Sequence, residues 1–415
     1  MDTPFMFLSI MQKIYNLKNG IRLVYERMAH TKSVSIGIFV KSGSMYETKE
    51  ENGISHFIEH MLFKGTKNRS AMKIAEEMDF IGGHINAYTS RDYTCYYTKA
   101  LSEDLPLCVD ILSDMYYNSL FKEEDIELER SVIIEEINMY EDSPEDIALD
   151  SLQENIWQGH PLGYLISGTV DSVEKITREM LVDYMKRRYT PENTVISVCG
   201  SFDEAALIEL LEKHFTKGKQ SPIVSFGKPV FTSGIWERKK DIEQTHLAIA
   251  YPSYPAGNPK NYAFTIMSNI LGGAMSSRLF QKLREENGLC YSIYSYTGTY
   301  QDAGMLGIYA GIAEESLEMA TEMIDGETER MCREKISDYE LKKALSQLRC
   351  AILMGRESAS ARMSSYGKEL LLRGRIRTDK KILSSIEKVT AEDILECANE
   401  IFDKNNRGVY ILRPL

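Results

Sequence analysis

Apolar and polar positions divide the chain into strands and helices in a recurring order. Ile21–Glu26, after an Asn19-Gly20 turn, and Val34–Val40 read as strands. Gly43 and the polar run Ser44–Asn52 read as a loop. A helical pattern follows over 53–63, with Ser55 or Asn52 available to cap it and Gly65 to end it. Ser70–Ile81 reads as a second helix. Gly82-Gly83 then opens His84–Thr89, a polar turn at Ser90–Asp92, and Tyr93–Thr98, whose aromatic and β-branched residues signal a hairpin. Helices are predicted over Leu105–Tyr117 and from Lys122 to about Glu141, closed near Pro144, followed by a strand at Asn193–Gly200 and a helix at Asp203–Phe215. Strands followed by groups of helices predict an α+β fold and not a parallel βαβ alternation.

A Gly/Pro/Lys-rich stretch, Lys217–Pro229, interrupts the pattern near the midpoint. The order then recurs: a strand at His246–Tyr251, helices at Tyr262–Leu271 and Ser277–Glu286, strands at Tyr291–Thr299 and Gly304–Gly311, and helices from Glu315 onward. The reading is one plan used twice. It predicts an N-terminal domain over 1–220, a connection over 221–238 and a C-terminal domain over 239–415. A chain of 415 residues exceeds what one core usually organises, in keeping with two domains.

Charge and cysteine usage narrow the function classes. The formal net charge of −12 argues against nonspecific nucleic-acid binding, which rewards a basic face. No apolar run approaches a membrane span, and residues 1–11 lack a basic segment and cleavage site, so no membrane partner and no export are expected. The seven cysteines are scattered without Cys-x-x-Cys spacing, which suits reduced thiols in a cytoplasm.

Candidate chemistry sits on the first predicted helix. His56 and His60, four residues apart, share one face and can reach one ion, with Glu59 beside them. Neutral imidazoles are good zinc ligands and a neighbouring carboxylate can take a proton from water, the minimum equipment for metal-assisted hydrolysis. Glu59 directly precedes the second histidine, the inverted form of the commoner His-Glu-x-x-His order. A catalytic zinc needs a third protein ligand. On the acidic helix 121–141, Ile126, Ile133, Ile137 and Tyr140 form an apolar stripe flanked by Glu129 and Glu136, whereas Glu124 and Glu135 lie opposite. Spacing leaves open which of Glu129 and Glu136 ligates.

Three separated segments carry a resemblance: His56–Thr66, Gly82–Thr89 and Glu129–Ile137. Together with His160-Pro161-Leu162-Gly163 and Ser276–Tyr291, they resemble the inverted-motif zinc peptidases, the family of pitrilysin, insulin-degrading enzyme and the mitochondrial processing peptidase β subunit. The resemblance covers nearly the whole chain and is closest to the short bacterial members. It implies one zinc per chain held by His56, His60 and Glu136, Glu59 as general base, and Glu129 supporting the site from behind. It also implies Arg284 and Tyr291 at the substrate carbonyl, and a strand with Asn86, Ala87 and Tyr88 that binds extended peptide. The implied fold is two homologous α+β halves, each an antiparallel sheet packed with helices, forming a clam-shell, and the implied assembly is a homodimer. The expected function is a zinc-dependent endopeptidase acting on peptides or unstructured segments. The alternative is a non-catalytic peptide-binding or assembly subunit of the same fold. The second half has no His-x-x-Glu-His and is expected to bind no metal.

Overall fold

The computed structural model describes residues 12–218 and 226–415. Among the described residues eleven strands form two sheets: β1 (Lys13–Asn16), β2 (Arg22–Arg27), β3 (Ser33–Val40), β4 (His84–Thr89), β5 (Thr94–Leu101) and β6 (Thr194–Gly200) in one, and β7 (Gly234–Lys240), β8 (Thr245–Ser253), β9 (Cys290–Thr299), β10 (Gly304–Ile312) and β11 (Gly408–Pro414) in the other. The strand orders are β1-β2-β6-β3-β5-β4 and β7-β11-β8-β10-β9. Apart from β1, the two orders are the same: β2, β6, β3, β5 and β4 correspond in turn to β7, β11, β8, β10 and β9. Each sheet is mixed and not purely antiparallel, because β2 pairs with β6, and β7 with β11, in parallel. The closing strand of each half returns after a long helical excursion, which permits a parallel pairing that a short hairpin cannot make.

Two compact units contain these sheets. Among the described residues, one comprises 12–133, 169–218 and 354–376, and the other 134–168, 226–353 and 377–415. The halves of the sequence therefore exchange a segment. Within the second unit, β8 shows why: Leu247, Ile249 and Tyr251 belong to one apolar cluster with helices Asn261–Gly272 and Ala391–Ile401, while Ala248 and Ala250 face another with Ile147, Ala148, Leu152 and Ile156. Successive residues of a strand point to opposite faces, so a strand apolar at every position needs cover on both. That second cover is the helix Pro144–Ile156, supplied by the first half of the sequence. In the first unit the reciprocal cover is the helix Ala359–Arg373, whose Met363, Tyr366 and Leu370 pack with Val24, Phe39, Cys95 and Val195. Both helices sit close. A Cβ on Gly367 would lie 2.2 Å from Phe39 Cε2, and one on Gly408 2.3 Å from Ile156 Cγ2, so the absence of a side chain sets the layer spacing.

Several expectations need correction. Pro144 does not merely end the acidic helix; it occupies the first turn of the next one, where its missing N–H costs nothing. Of the connection expected over 221–238, residues 221–225 lie outside the described residues and 234–238 belong to β7. That strand is basic and mostly exposed, as an edge strand often is, so it does not read as a strand by apolar content. The helix expected over Ser277–Glu286 contains a π-helical segment, Phe280–Glu285. Residues 1–11, where no export signal is expected, lie outside the described residues. Among the described residues no helix is long and apolar enough to cross a membrane, and no cysteine is in a disulfide.

Candidate metal centre

The motif helix spans Ile54–Leu62, and Ile54, Phe57, Ile58, Met61 and Leu62 bury one face of it. That packing leaves His56, Glu59 and His60, half-buried, on the other side. The helix starts differently from expectation. Neither Ser55 nor Asn52 caps it: Gly53 is the N-cap at φ +94°, without a side-chain cap. Its first amides are satisfied by an acid in the preceding loop, Glu47, which accepts from Gly53 N at 2.8 Å and Ser55 N at 2.9 Å, and from Asn52 Nδ2 at 3.1 Å. Burial pushes the Glu47 carboxyl up to about 7, opposed by these donors. The helix ends at Leu62 with Phe63 as C-cap, and Gly65 makes a separate turn at φ +107°.

The acidic helix runs Glu123–Glu141. Ile126, Ile133 and Ile137 are buried as the stripe predicts, but Tyr140 is exposed because it falls in the last turn. Arg130 ties this helix to its surroundings. Its guanidinium lies 5.6 Å from the centre of the Phe57 ring on the motif helix and donates to the Val173 and Ile176 carbonyls.

The two carboxylates that flank the stripe separate in space. His56, His60 and Glu136 each offer one ligand atom, and these atoms lie within 4.8 Å of one another. Glu129, only 3 % exposed, instead backs the His60 ring, its Oε2 accepting from Nδ1 at 2.9 Å. That contact orients the imidazole toward its partners. Lys64 Nζ lies 2.5 Å from the other Glu129 oxygen. Burial, and secondarily the neighbouring His60, holds His56 down to about 4, so its imidazole is neutral at ordinary pH, the form that ligates. Two imidazoles and a carboxylate converging in this way form a donor set that could hold a divalent metal such as zinc.

Glu59 is held by a residue that sequence reasoning passed over: Thr89 Oγ1 donates to Glu59 Oε2 at 2.5 Å. Thr89 ends β4, next to which the motif helix packs. Glu47, Lys64 and Thr89 were all missed: Lys64 and Thr89 act on partners far along the chain, and Glu47 reaches the helix start from inside an irregular loop that follows no helical or strand period. A helix start lacking a capping side chain is the only local hint of Glu47.

Among the described residues β4 is an edge strand of its sheet and pairs with β5 alone. Its Asn86, Ala87 and Tyr88 thus lie on a strand with an open side, and Asn86 Oδ1 accepts from the Ala87 amide at 2.8 Å. Tyr88 OH contacts Ser364 of the exchanged helix at 3.2 Å. Arg284 and Tyr291 are neighbours in the second unit. Arg284 lies on the π-helical segment, stacks 4.6 Å from the Tyr291 ring centre and donates to the Tyr291 carbonyl at 2.5 Å, with Tyr291 75 % exposed.

Comparison with known proteins supplies the family. Residues 22–170 match the insulinase family, peptidase family M16, and residues 175–348 match the peptidase M16 inactive domain. The chain is 40% identical over 399 residues to an uncharacterized zinc protease of Bacillus subtilis, covering 95% of this chain and 97% of the relative. It is 37% identical over 390 residues to an uncharacterized zinc protease of Rickettsia felis, covering 94% of each. A protease from Helicobacter pylori has the same fold, with a TM-score of 0.92 at 22% identity over 97% of this chain and 99% of that one. So has a peptidase M16 inactive domain structure from Pseudomonas fluorescens, with a TM-score of 0.91 at 16% identity over 98% of both chains. With both halves matched and relatives aligned almost end to end, the chain belongs to peptidase family M16.

Proposed function

We propose that the protein is a zinc-dependent endopeptidase that hydrolyses peptides or unstructured polypeptide segments. The observation that carries this reading is the convergence of His56, His60 and Glu136 beside a carboxylate, Glu59, that is itself held in place by Thr89. His56, His60 and Glu136 would hold one zinc ion per chain. Zinc bound there would supply Lewis acidity toward the scissile carbonyl and make water a better acid. Glu59 then acts as general base, taking the proton of the attacking water, and as general acid, passing it to the leaving amine. Thr89 holds the Glu59 carboxylate in place through one of its oxygens.

The open side of β4 suits substrate binding by strand addition, in which backbone hydrogen bonds hold an extended peptide irrespective of its side chains. At Ala87 the incoming carbonyl would replace Asn86 Oδ1 on the amide. In the same reading Arg284 and Tyr291 serve the substrate carbonyl, where charge develops. The Arg284–Tyr291 stacking and the π-helical turn beneath it are the kind of local departure often found at functional positions.

Glu59→Gln tests the reading. The variant is expected to bind zinc as the parent does and to cleave a mixed peptide library at least 100-fold more slowly, in line with the usual contribution of a general base of about 10²–10⁴. Undiminished, chelator-sensitive cleavage would remove Glu59 as the base. Absence of cleavage by the zinc-loaded parent would favour the non-catalytic subunit instead.

A further inference from the structure

We infer that Lys64 is a positioning residue for the metal centre, acting through Glu129 on His60; this rests on the reading of His60 as a zinc ligand. The chain of contacts is short and runs inward from Lys64, whose side chain is 30% exposed. Lys64 Nζ is 2.5 Å from Glu129 Oε1, and Glu129 Oε2 is 2.9 Å from His60 Nδ1, with the His60 side chain 15% exposed and that of Glu129 5% exposed. The two oxygens of one carboxylate are thus divided between an ammonium and an imidazole. A carboxylate pinned at both oxygens cannot swing about its terminal torsion, so the direction in which it meets Nδ1, and with it the plane of the His60 ring, is set from the Lys64 side.

Lys64 is not a loosely placed surface lysine. It follows the C-cap of the motif helix, its amide donating to the Met61 carbonyl at 3.1 Å. The turn after it is clamped to the helix Leu105–Asn118: Thr66 Oγ1 and Asn68 Nδ2 each donate to Asp114 at 2.6 Å, and Arg69 pairs with Asp110 and Asp114. The Gly65 carbonyl accepts from Leu120 N at 3.2 Å, and the Lys67 amide donates to the Asn118 carbonyl at 3.0 Å. The backbone that carries Lys64 is therefore fixed on both sides, and its ammonium reaches the one buried acid behind His60. Removing the charge while keeping the length, as in Lys64→Met, frees one Glu129 oxygen and leaves an under-compensated buried carboxylate against a zinc ligand.

The test is zinc affinity of the purified full chain, measured for the parent, Lys64→Met, Lys64→Arg, Glu129→Gln and the double variant by competition with a chromophoric chelator at one pH. Lys64→Met is expected to bind zinc about 10-fold more weakly, the lower end of what supporting partners of a metal ligand usually contribute. Lys64→Arg is expected to recover most of the loss. If Lys64 acts through Glu129, the double variant loses no more than Glu129→Gln alone. Zinc affinity of Lys64→Met within twofold of the parent, or additive losses in the double variant, would overturn the inference. Urea unfolding of the zinc-free proteins provides the folding control, since a merely structural role would lower stability without the Glu129-dependent pattern. A parent that binds no zinc would sink the metal reading itself, a different result from any of these.

Discussion

Glu47 offers the sharpest test of how the motif helix is held. It is fully buried and accepts from three donors at the start of that helix: the amides of Gly53 and Ser55 and the Asn52 side chain, at 2.8, 2.9 and 3.1 Å. Glu47→Ala takes the acceptor away from all three donors at once. Each buried donor left unsatisfied costs about 1–3 kcal/mol. Asn52 can turn its amide elsewhere, so the two backbone donors set the expected loss at about 2–6 kcal/mol. Unfolding in urea with a chelator present, which removes any stabilisation from bound metal, reads this directly, with Glu50→Ala as an exposed control. The unfolding curve need not be two-state in a chain with two compact units, so the shift belongs to whichever transition moves. Because His56 follows Ser55, fraying at this end should also weaken zinc binding. A loss below about 1 kcal/mol would refute the accounting of donors.

The same residue carries a pH signature. Burial raises the Glu47 carboxyl to about 7 from an ordinary 4.5. A carboxyl raised on folding holds its proton longer in the folded chain, so it favours folding below 4.5 and loses that advantage as pH rises toward 7. At 1.36 kcal/mol per pH unit the full change is about 3 kcal/mol. Glu47→Gln has no such titration. Its destabilisation relative to the parent should therefore be larger at pH 5 than at pH 8. A penalty that grows with pH would show that the amide donors, and not burial, decide the ionisation of this group.

Two further outcomes follow from named contacts. Thr89→Val removes the hydroxyl at 2.5 Å from Glu59 while keeping the shape, and should lower kcat about 10-fold with zinc content and KM little changed; unaltered kcat would show that Glu59 needs no such support. Arg362→Ala strips the partner at 2.5 Å from Glu26, a carboxylate 4 % exposed that Tyr366 also contacts at 2.7 Å. It should destabilise the first unit by about 3–5 kcal/mol in urea, because it leaves an uncompensated buried charge, and a change under about 1 kcal/mol would mean that water already serves that acid.

His56, Glu59 and His60 were legible because their geometry is local: a four-residue spacing on a helix puts two imidazoles on one face whatever the rest of the chain does. The strands were legible for a similar reason, and Ala248 between Leu247 and Ile249 even shows a strand apolar on both faces. Periodicity along the acidic helix narrowed its acids to Glu129 and Glu136 but could not assign them. They lie two turns apart on nearly the same flank, and only the placement of a second helix distinguishes a carboxylate that converges with both histidines from one that backs a single ring. Lys64 and Thr89 were invisible for the same reason, since each contributes through a partner that sequence spacing does not bring near, and Glu47 because its loop has no period that would aim its side chain at the helix start. The reciprocal exchange of Pro144–Ile156 and Ala359–Arg373 was hidden too. A strand's pattern states that both faces must be covered, but it does not state which helix supplies the cover. That choice rests on close approach at positions such as Gly367 and Gly408, which exists only once the chain has packed.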